Sequence, residues 1–231
     1  MRISSINQAT TSRPLSQRAF TLVEMLTVMA IIALLSLSVP ALQSALTSGT
    51  FNSNTSQMND LLKGAYSAAL ARNTYVWVGL TQLSNNGGVG MSFIYSQSGS
   101  ATDINAQATL YKPVILKNLS LTNIPANVMT NRITAGSIAQ VFSSSNTLNV
   151  SGTTDRVTFS TTIEGTSQTL MTNDAQSTSA IIEITPTGQV SIASKKYAWV
   201  EIGLKPTNGN SREMAALQMN AFTGRVVQYL P

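Results

Sequence analysis

The sequence predicts an α+β fold, in which a long N-terminal transmembrane helix precedes a globular head with an antiparallel β-sheet. Three patterns in the 231 residues indicate this order. Residues 20–39 are mostly apolar, residues 55–72 place apolar side chains at helical spacing, and later segments alternate apolar with polar residues. Helical spacing is typical of an amphipathic helix, and alternation is typical of a half-buried strand. Because the helical segments come before the strands rather than between them, α+β is favoured over α/β.

The apolar run from residue 20 to residue 39 has the length of a membrane span. It contains a single charge, Glu24, and the next charge along the chain is Asp60. A helix needs about 20 mostly apolar residues to cross the hydrocarbon core of a bilayer. The charges before Glu24 are all arginines. By the positive-inside rule, they place the N-terminus in the cytoplasm and the rest of the chain on the far side of the membrane.

Three interpretations compete for this segment. A plain membrane anchor explains the length, but a carboxylate such as Glu24 inside a span costs about 2.5–3.5 kcal/mol on insertion scales. A secretory signal peptide explains the order of arginines and apolar residues, with small residues at 36–38 as a cleavage site. However, the apolar run is longer than is usual for a signal peptide, and Pro40 would follow the cut closely.

The third interpretation accounts for the residues at the start of the apolar run. Residues 18–24 read RAFTLVE, which resembles the processing site of type IV prepilins and type II secretion pseudopilins. The resemblance implies that a prepilin peptidase cleaves between Ala19 and Phe20 and N-methylates Phe20, so that Glu24 becomes the fifth mature residue. Ala19 departs from the usual Gly, but it is the next smallest residue and we expect processing here. The implied organisation is a leader peptide at 1–19, a transmembrane and assembly helix at 20–47, and a pilin-like head at 48–231.

The resemblance also implies roles for Glu24 and Pro40. A carboxylate in an apolar setting needs a partner, and cleavage frees the α-amine of Phe20, which is largely protonated at neutral pH. That amine lies about 6 Å away along the same helix, and in a filament the amine of a neighbouring subunit can approach Glu24 directly. The resemblance favours the intersubunit pair, which would set the axial register between subunits. Pro40 lacks a backbone donor and is expected to bend the helix.

The rest of the chain predicts a head with one more helical segment and several strands. Residues 49–54 indicate a break, and residues 55–72 a second amphipathic helix or a continuation of the first. Between residues 143 and 179 the abundance of Ser, Thr, Asn and Gln predicts long surface loops. The predicted strands are 75–80, 91–95, 108–114, 156–159, 181–184, 190–192 and 197–204, followed by a hairpin of 216–221 and 225–229.

Parts of the head carry further resemblances. Residues 61–73, 184–188 and 222–226 are similar to H-type minor pseudopilins. Residues 73–130 and 224–231 are similar to the Verru_Chthon cassette protein D group. Both are groups of prepilin-type proteins, in agreement with the N-terminal motif.

Composition excludes several classes of function. The chain has no His and no Cys, which rules out a Ser-His-Asp triad, a thiol nucleophile and an iron–sulfur cluster. Without residues 1–19 it carries 11 Lys and Arg against 9 Asp and Glu, a net charge of +2. No basic cluster longer than Lys195-Lys196 remains, so a nucleic-acid partner is not expected. We expect neither enzymatic activity nor a bound cofactor or metal.

Individual candidate sites have ordinary structural interpretations. Residues 87–90 (GGVG) lack the Lys and Ser or Thr of a phosphate loop, which favours a flexible hairpin loop. Glu183 and Glu201 lie in predicted strands, and neither has an obvious partner for a paired-carboxylate mechanism. Trp77 and Trp199 are expected to pack rather than to stack on a ligand. Four loop carboxylates lack calcium-loop spacing and are expected to be solvated: Asp103, Asp155, Glu164 and Asp174.

The predicted function is therefore structural. We expect a minor pilin or pseudopilin subunit, inserted once in the inner membrane and then assembled through residues 20–47 into a filament for type II-like secretion or type IV pilus function. The expected partners are the prepilin peptidase, other pilin-like subunits and inner-membrane lipid. The alternative is a single-span, membrane-anchored extracytoplasmic binding or adhesion protein that does not polymerise. A secreted hydrolase is disfavoured by the missing His and Cys.

Overall fold

A computed structural model gives the structure of the chain. It describes residues 21–83, 88–101, 106–125, 127–129, 131–133, 138–142, 159–163, 166–171, 179–192, 195–207 and 213–230. Side chains are described at these positions except at 37–45, 159–163, 166–171, 179 and 195. The chain divides into two compact units, with the division between Gln43 and Ser44. The N-terminal unit contributes only helix to the described residues, and the second unit holds every described strand.

Helix α1 spans Leu22–Arg72. It ends where Asn73 adopts a positive φ of 50°. The amide of Thr74 donates to the carbonyl of Ala69 at 3.1 Å, and the amide of Asn73 donates to the carbonyl of Leu70 at 3.2 Å. These two bonds form a Schellman motif, in which Asn takes the position usually held by Gly. The motif ends the helix directly before the first strand.

The predicted break at residues 49–54 is wrong, because α1 runs through it. Thr50 Oγ1 donates to the carbonyl of Leu46 at 2.8 Å, so this side chain bonds to the backbone of its own helix. Phe51 has only 1% of its surface exposed. The free energy gained by burying Phe51 outweighs the low helix propensity of the neighbouring Gly, Ser, Thr and Asn residues.

The part of α1 that belongs to the second unit has one buried face. This confirms the amphipathic pattern predicted for residues 55–72. Alternating spacings of three and four residues follow the 3.6-residue period of the helix. The buried side chains on this face are Phe51, Thr55, Met58, Leu62, Ala65 and Ala69.

The described residues beyond α1 include thirteen strands, which form two larger sheets and one separate hairpin. The strands are β1 Val76–Gln82, β2 Val89–Ser96, β3 Gln107–Leu116, β4 Leu119–Leu121, β5 Ile138–Gln140, β6 Phe159–Ile163, β7 Thr166–Met171, β8 Ser179–Ile184, β9 Val190–Ile192, β10 Lys195–Lys196, β11 Trp199–Pro206, β12 Ala215–Asn220 and β13 Val226–Tyr229.

Sheet A has the strand order β10-β9-β8-β1-β2-β3, and every neighbouring pair is antiparallel. The central strand is β1, on which Val78 is paired with Phe93 of β2 and Ile182 of β8. Because side chains alternate between the two faces of a strand, Val76, Val78 and Leu80 lie together on the core side. All three are fully buried.

Sheet B has the strand order β13-β12-β11-β4, and β5 also pairs with β11. The β5–β11 pair is parallel, and the other pairs are antiparallel. The predicted antiparallel head is thus confirmed apart from this pair. β4 pairs with the C-terminal end of β11 and β5 with its N-terminal end. The chain between β4 and β5 therefore passes from one end of β11 to the other.

One hydrophobic core contains the buried face of α1 and residues of both sheets. The side chain of Tyr66 on α1 packs against two turns of the head, at Gly188 and Gly224. A Cβ atom on Gly224 would lie 2.4 Å from the Tyr66 ring, and one on Gly188 would lie 2.6 Å from its hydroxyl. Both glycines have positive φ, 63° and 80°. Glycine is thus required at both turns by the backbone conformation and by the space that Tyr66 occupies.

The surface loops predicted between residues 143 and 179 are wrong in part. β6 and β7 form a hairpin there, and β7 lies close to β1, β2 and β8 of sheet A. The predicted strand at 156–159 shares only Phe159 with β6. Thr is β-branched and favours strands, so a Thr-rich composition is compatible with a strand as well as with a loop.

Candidate functional site

The N-terminus of α1 is capped by reciprocal hydrogen bonds between Thr21 and Glu24. The amide of Glu24 donates to Thr21 Oγ1 at 3.2 Å. In return, the amide and the hydroxyl of Thr21 donate to Glu24 Oε2, each at 3.3 Å. This is a capping box, in which the N-cap residue, Thr21, and the third residue of the helix, Glu24, satisfy each other's amides. Thr followed three positions later by Glu is its sequence signal, which the sequence prediction missed.

The Glu24 carboxylate is exposed and only partly engaged. Both hydrogen bonds to it end at Oε2, and within the described residues Oε1 has no donor. Its acidic position in the first turn also suits the positive end of the helix dipole. Glu24 therefore caps its own helix and keeps one oxygen available for a further donor.

The helix around Glu24 presents uncovered apolar side chains. Every side chain from residue 21 to residue 36 is exposed. The two hydroxyls further along are satisfied within the helix, because Thr27 donates to the carbonyl of Glu24 and Ser36 to that of Ile32, both at 2.8 Å. The large exposed apolar residues are Leu22, Val23, Met25, Leu26, Val28, Met29, Ile31, Ile32, Leu34 and Leu35.

Such a continuous apolar surface marks a contact with lipid or with another protein. Among the residues whose side chains are described, no helix combines the length and the hydropathy that a membrane span requires.

The other residues of the predicted processing and assembly site are only partly covered by the structure. Ala19 and Phe20 lie outside the described residues, so their cleavage stays a prediction. Pro40 lies within α1, whose backbone is helical on both sides of it. The side chain of Pro40 is outside the described part, and the bend stays a prediction.

A buried polar cluster in sheet B was not predicted from the sequence. Glu201 is 1% exposed, and its carboxylate accepts from three side chains. Oε1 accepts from Arg132, in a buried ion pair, and from Gln140 Nε2 at 2.9 Å. Oε2 accepts from Gln218 Nε2 at 2.7 Å. These three partners are not carboxylates, and the sequence did not indicate them.

The strand register explains this cluster. Gln140 of β5 and Gln218 of β12 are both the register partners of Glu201 on β11. The three side chains form a row across three strands, and Arg132 comes from the chain between β4 and β5. The row consists of one carboxylate, two amides and one guanidinium, which hydrogen-bond to each other within the described part of sheet B.

The outer face of sheet A has a second, smaller buried cluster. Trp77 is 1% exposed and packs against Ile94. Its indole N–H donates to Glu183 Oε2 at 3.2 Å, and Ser191 donates to Oε1 at 3.4 Å. The predicted packing of Trp77 is thus confirmed. The two donors to Glu183 were not indicated by the sequence, and neither is a carboxylate. A buried indole cannot serve as a stacking platform for a ligand.

The remaining candidates are only partly covered by the described residues. Asp103, Asp155, Glu164 and Asp174 lie outside the described residues. Gly88 has a φ of 98° in the connection between β1 and β2, in agreement with the predicted hairpin loop. Lys196 is exposed in β10, at one edge of sheet A. Trp199 is half-buried in β11.

Comparison with known proteins bears on the N-terminal segment. The family described as the prokaryotic N-terminal methylation motif matches residues 15–40. The matched range contains all four residues predicted for processing, assembly and helix bending: Ala19, Phe20, Glu24 and Pro40. No curated protein and no solved structure matches the chain significantly. The motif implies processing by a prepilin peptidase and assembly with other pilins in general. In residues 15–40 the chain carries the type IV prepilin-like signal.

Proposed function

We propose that this chain is a minor pilin-like or pseudopilin subunit with a structural, non-enzymatic role. It is inserted once in the inner membrane with its N-terminus in the cytoplasm and its head, residues 48–231, outside. A prepilin peptidase cleaves between Ala19 and Phe20 and methylates Phe20. The mature subunit then joins other pilin-like subunits in a pilus or pseudopilus that serves type II-like secretion or type IV pilus function.

The observation that carries this proposal is the apolar surface of α1 beside the matched motif. Residues 22–35 expose large apolar side chains on all sides of the helix, whereas the head buries its own in a continuous core. Lipid covers such a surface before assembly, and the helices of neighbouring subunits cover it afterwards. If the protein acted alone in water, these apolar side chains would stay exposed to solvent.

Glu24 supplies the polar contact in this surface. Its Oε1 accepts no bond from the described residues, and the α-amine freed at Phe20 of a neighbouring subunit is a charged donor. A charge-assisted bond between them is favourable only at one axial offset of the two helices. Glu24 therefore fixes register, which is the best supported use of a buried polar group in helix packing.

Processing is tested on protein extracted from membranes. Intact mass and N-terminal sequencing are expected to find Phe20 at the N-terminus with an N-methyl group. Ala19→Gly should give the same product, since Gly is the residue usual at this position in the resembled families. Retention of Met1, or a start near residue 39, would refute this part of the proposal.

Assembly is tested by crosslinking through cysteines placed at the exposed positions Ser53 and Gln57 of α1. The native chain has no thiol, so every crosslink reports these positions. Glu24→Ala should insert and be cleaved normally but lose crosslinks to other pilin-like subunits, and Glu24→Asp should be intermediate. Asp60→Ala removes the next carboxylate along α1 and serves as the matched control. Undiminished crosslinking of Glu24→Ala would exclude the register role, and no crosslinks in the wild type would favour the non-polymerising anchor.

A further inference from the structure

Two turns of the head and the last part of α1 meet around the side chain of Tyr66. A Cβ atom on Gly188 would lie 2.6 Å from the Tyr66 hydroxyl and 3.1 Å from Leu70 Cδ2. The same hydroxyl donates to the carbonyl of Phe222 at 3.3 Å, and a Cβ atom on Gly224 would lie 2.4 Å from the ring. These five residues therefore form one continuous surface, here called the Phe222 patch.

The two most exposed apolar side chains of the patch contribute little to folding. Phe222 is 64% exposed and Leu70 is 43% exposed. Neither belongs to the hydrophobic core described above, whereas Tyr66 packs against that core. An apolar side chain stabilises a fold in proportion to the area that it buries, so the stability of the head does not account for these two. Exposed apolar side chains that lie together mark a contact with another molecule.

Phe222 is presented by a turn that is held in place by hydrogen bonds. Asn220 Oδ1 accepts from the amides of Phe222 and Thr223, at 3.0 and 2.9 Å. Backbone bonds close the same turn, because the amide of Gly224 donates to the carbonyl of Asn220 and the amide of Asn220 to the carbonyl of Arg225, both at 2.9 Å. Since the turn is already ordered, a partner that docks on Phe222 loses little free energy to the ordering of this backbone.

Cations flank the patch on two sides. Lys63 lies one turn before Tyr66 on the same side of α1, and Arg225 lies in the turn that carries Phe222. Both side chains are exposed, and among the described residues neither has an ion-pair partner. Asp60 is six residues before Tyr66, about 9 Å away along the helix axis. The three segments that build the patch contain no Asp or Glu, and they are 61–73, 184–189 and 220–226.

We propose that the Phe222 patch is the docking surface for an acidic polypeptide segment of another protein. An apolar side chain of that segment packs on Phe222, and carboxylates beside it pair with Lys63 and Arg225. An apolar centre with a charged rim is the usual anatomy of a protein–protein contact, and complementary charge selects an acidic partner.

The same charges disfavour two other occupants. In a symmetric contact between two copies of this chain, the patch would meet itself and cation would face cation. Two cations beside an apolar centre also offer few phosphate contacts, which makes a nucleic acid a poorer fit. The inference does not depend on the function proposed above, because the patch lies in the head and uses none of the residues of the processing and assembly site.

A peptide titration of the full-length protein in detergent tests this surface. The probe is a synthetic peptide, blocked at both ends, in which a single Trp stands between two Glu residues on each side. We expect it to shift the amide NMR signals of the patch with a dissociation constant on the order of 1 mM. One control peptide has Ala in place of Trp, and another has Lys in place of every Glu. Both should bind at least about 5-fold more weakly, because each lacks one of the two contacts.

Substitutions separate the apolar contact from the charge contact. Phe222→Ala should weaken peptide binding at least about 5-fold, and Lys63→Glu and Arg225→Glu should each weaken it at least about 3-fold. Leu230→Ala is the matched apolar control, since Leu230 is 46% exposed and follows the far end of β13. Lys112→Glu, at an exposed position of β3, is the matched charge control. Both controls should bind the peptide as the wild type does. All substituted side chains are exposed, so every variant should keep the melting temperature of the wild type within a few degrees.

Three results would overturn the proposal. The first is a titration that leaves the signals of the patch unchanged, or that loses affinity equally in Arg225→Glu and Lys112→Glu. The second is tighter binding of a single-stranded DNA oligonucleotide than of the acidic peptide, which would assign the cations to phosphate contacts. The third is a concentration-dependent dimer that Phe222→Ala abolishes, which would assign the patch to a second copy of the chain.

Discussion

Replacing Gly224 by Ala should destabilise the head strongly, because two independent costs meet at this turn. Gly224 has a φ of 63°, a conformation that costs an L-residue about 1–2 kcal/mol. The added Cβ atom would also lie 2.4 Å from three carbons of the Tyr66 ring. The ring cannot move freely, since its hydroxyl donates to the carbonyl of Phe222 at 3.3 Å and also lies against Gly188.

The size of the effect follows from these two costs. Overpacking of a buried contact costs about 1–3 kcal/mol, so the free energy of unfolding should fall by about 3 kcal/mol in total. In a domain of this size, 1 kcal/mol lowers the melting temperature by about 2–4 °C, and Gly224→Ala should lower it by about 6–12 °C. Urea unfolding followed by tryptophan fluorescence measures this change, because Trp77 is buried.

Gly49→Ala is the matched control for Gly224→Ala. A Cβ atom on Gly49 would meet nothing within 4 Å, and the site lies inside α1. This variant should gain about 0.5–1 kcal/mol, because Ala is the better helix former. Combining Gly224→Ala with Tyr66→Ala should cost less than the sum of the single changes, since the steric cost disappears with the ring. Strict additivity, or a Gly224→Ala variant as stable as the wild type, would refute this account of the turn.

Three further predictions follow from the described residues. Leu62→Ala should lower the free energy of unfolding by about 2–5 kcal/mol, because Leu62 is fully buried. Its control is Leu70→Ala, at a position 43% exposed, which should change that free energy by less than about 0.5 kcal/mol. Urea unfolding measures both variants. Thr21→Ala should cost the start of α1 about 0.5–2 kcal/mol by removing the cap, which would appear as faster amide exchange over the first helical turn in detergent; exchange equal to the wild type would contradict it. A reporter enzyme that functions only outside the cytoplasm should be active when fused after Pro231, and activity of a strictly cytoplasmic reporter there would reverse the proposed topology.

Periodicity alone was sufficient to predict much of the head. The buried face of α1 and the core-facing residues of β1 recur at fixed intervals, so they are visible in a single sequence. The break at residues 49–54 was inferred from local propensity, and the burial of Phe51 by distant parts of the chain overrides it. The hairpin of β6 and β7 was missed because Thr-rich strands do not alternate clearly in polarity.

The polar cluster at Glu201 lay beyond sequence reasoning for a different reason. Its partners Arg132 and Gln140 are 69 and 61 residues away along the chain, and no motif links them. On the outer face of a strand, a lone Glu is normally solvated. Among the described residues, the segment that carries Thr122, Ile124 and Arg132 lies over β11 and covers it. That placement depends on the parallel pairing of β5 with β11, which a hairpin-based prediction does not anticipate.

Glu24 can cap its own helix and also bind a neighbouring subunit, because the two roles use different carboxylate oxygens. In the capping box, both donors of Thr21 lie 3.3 Å from Oε2. This distance is longer than the roughly 2.7–2.9 Å that is usual for a charge-assisted bond from a cationic N–H group to a carboxylate. A neighbouring α-amine on Oε1 can therefore form the stronger contact while the cap persists. If the two roles are separable in this way, Thr21→Ala should weaken the helix start but keep most crosslinks through Ser53 and Gln57, whereas Glu24→Ala should lose both. Equal loss of crosslinks in the two variants would mean that Thr21 must hold the carboxylate in place before a neighbour can bind it.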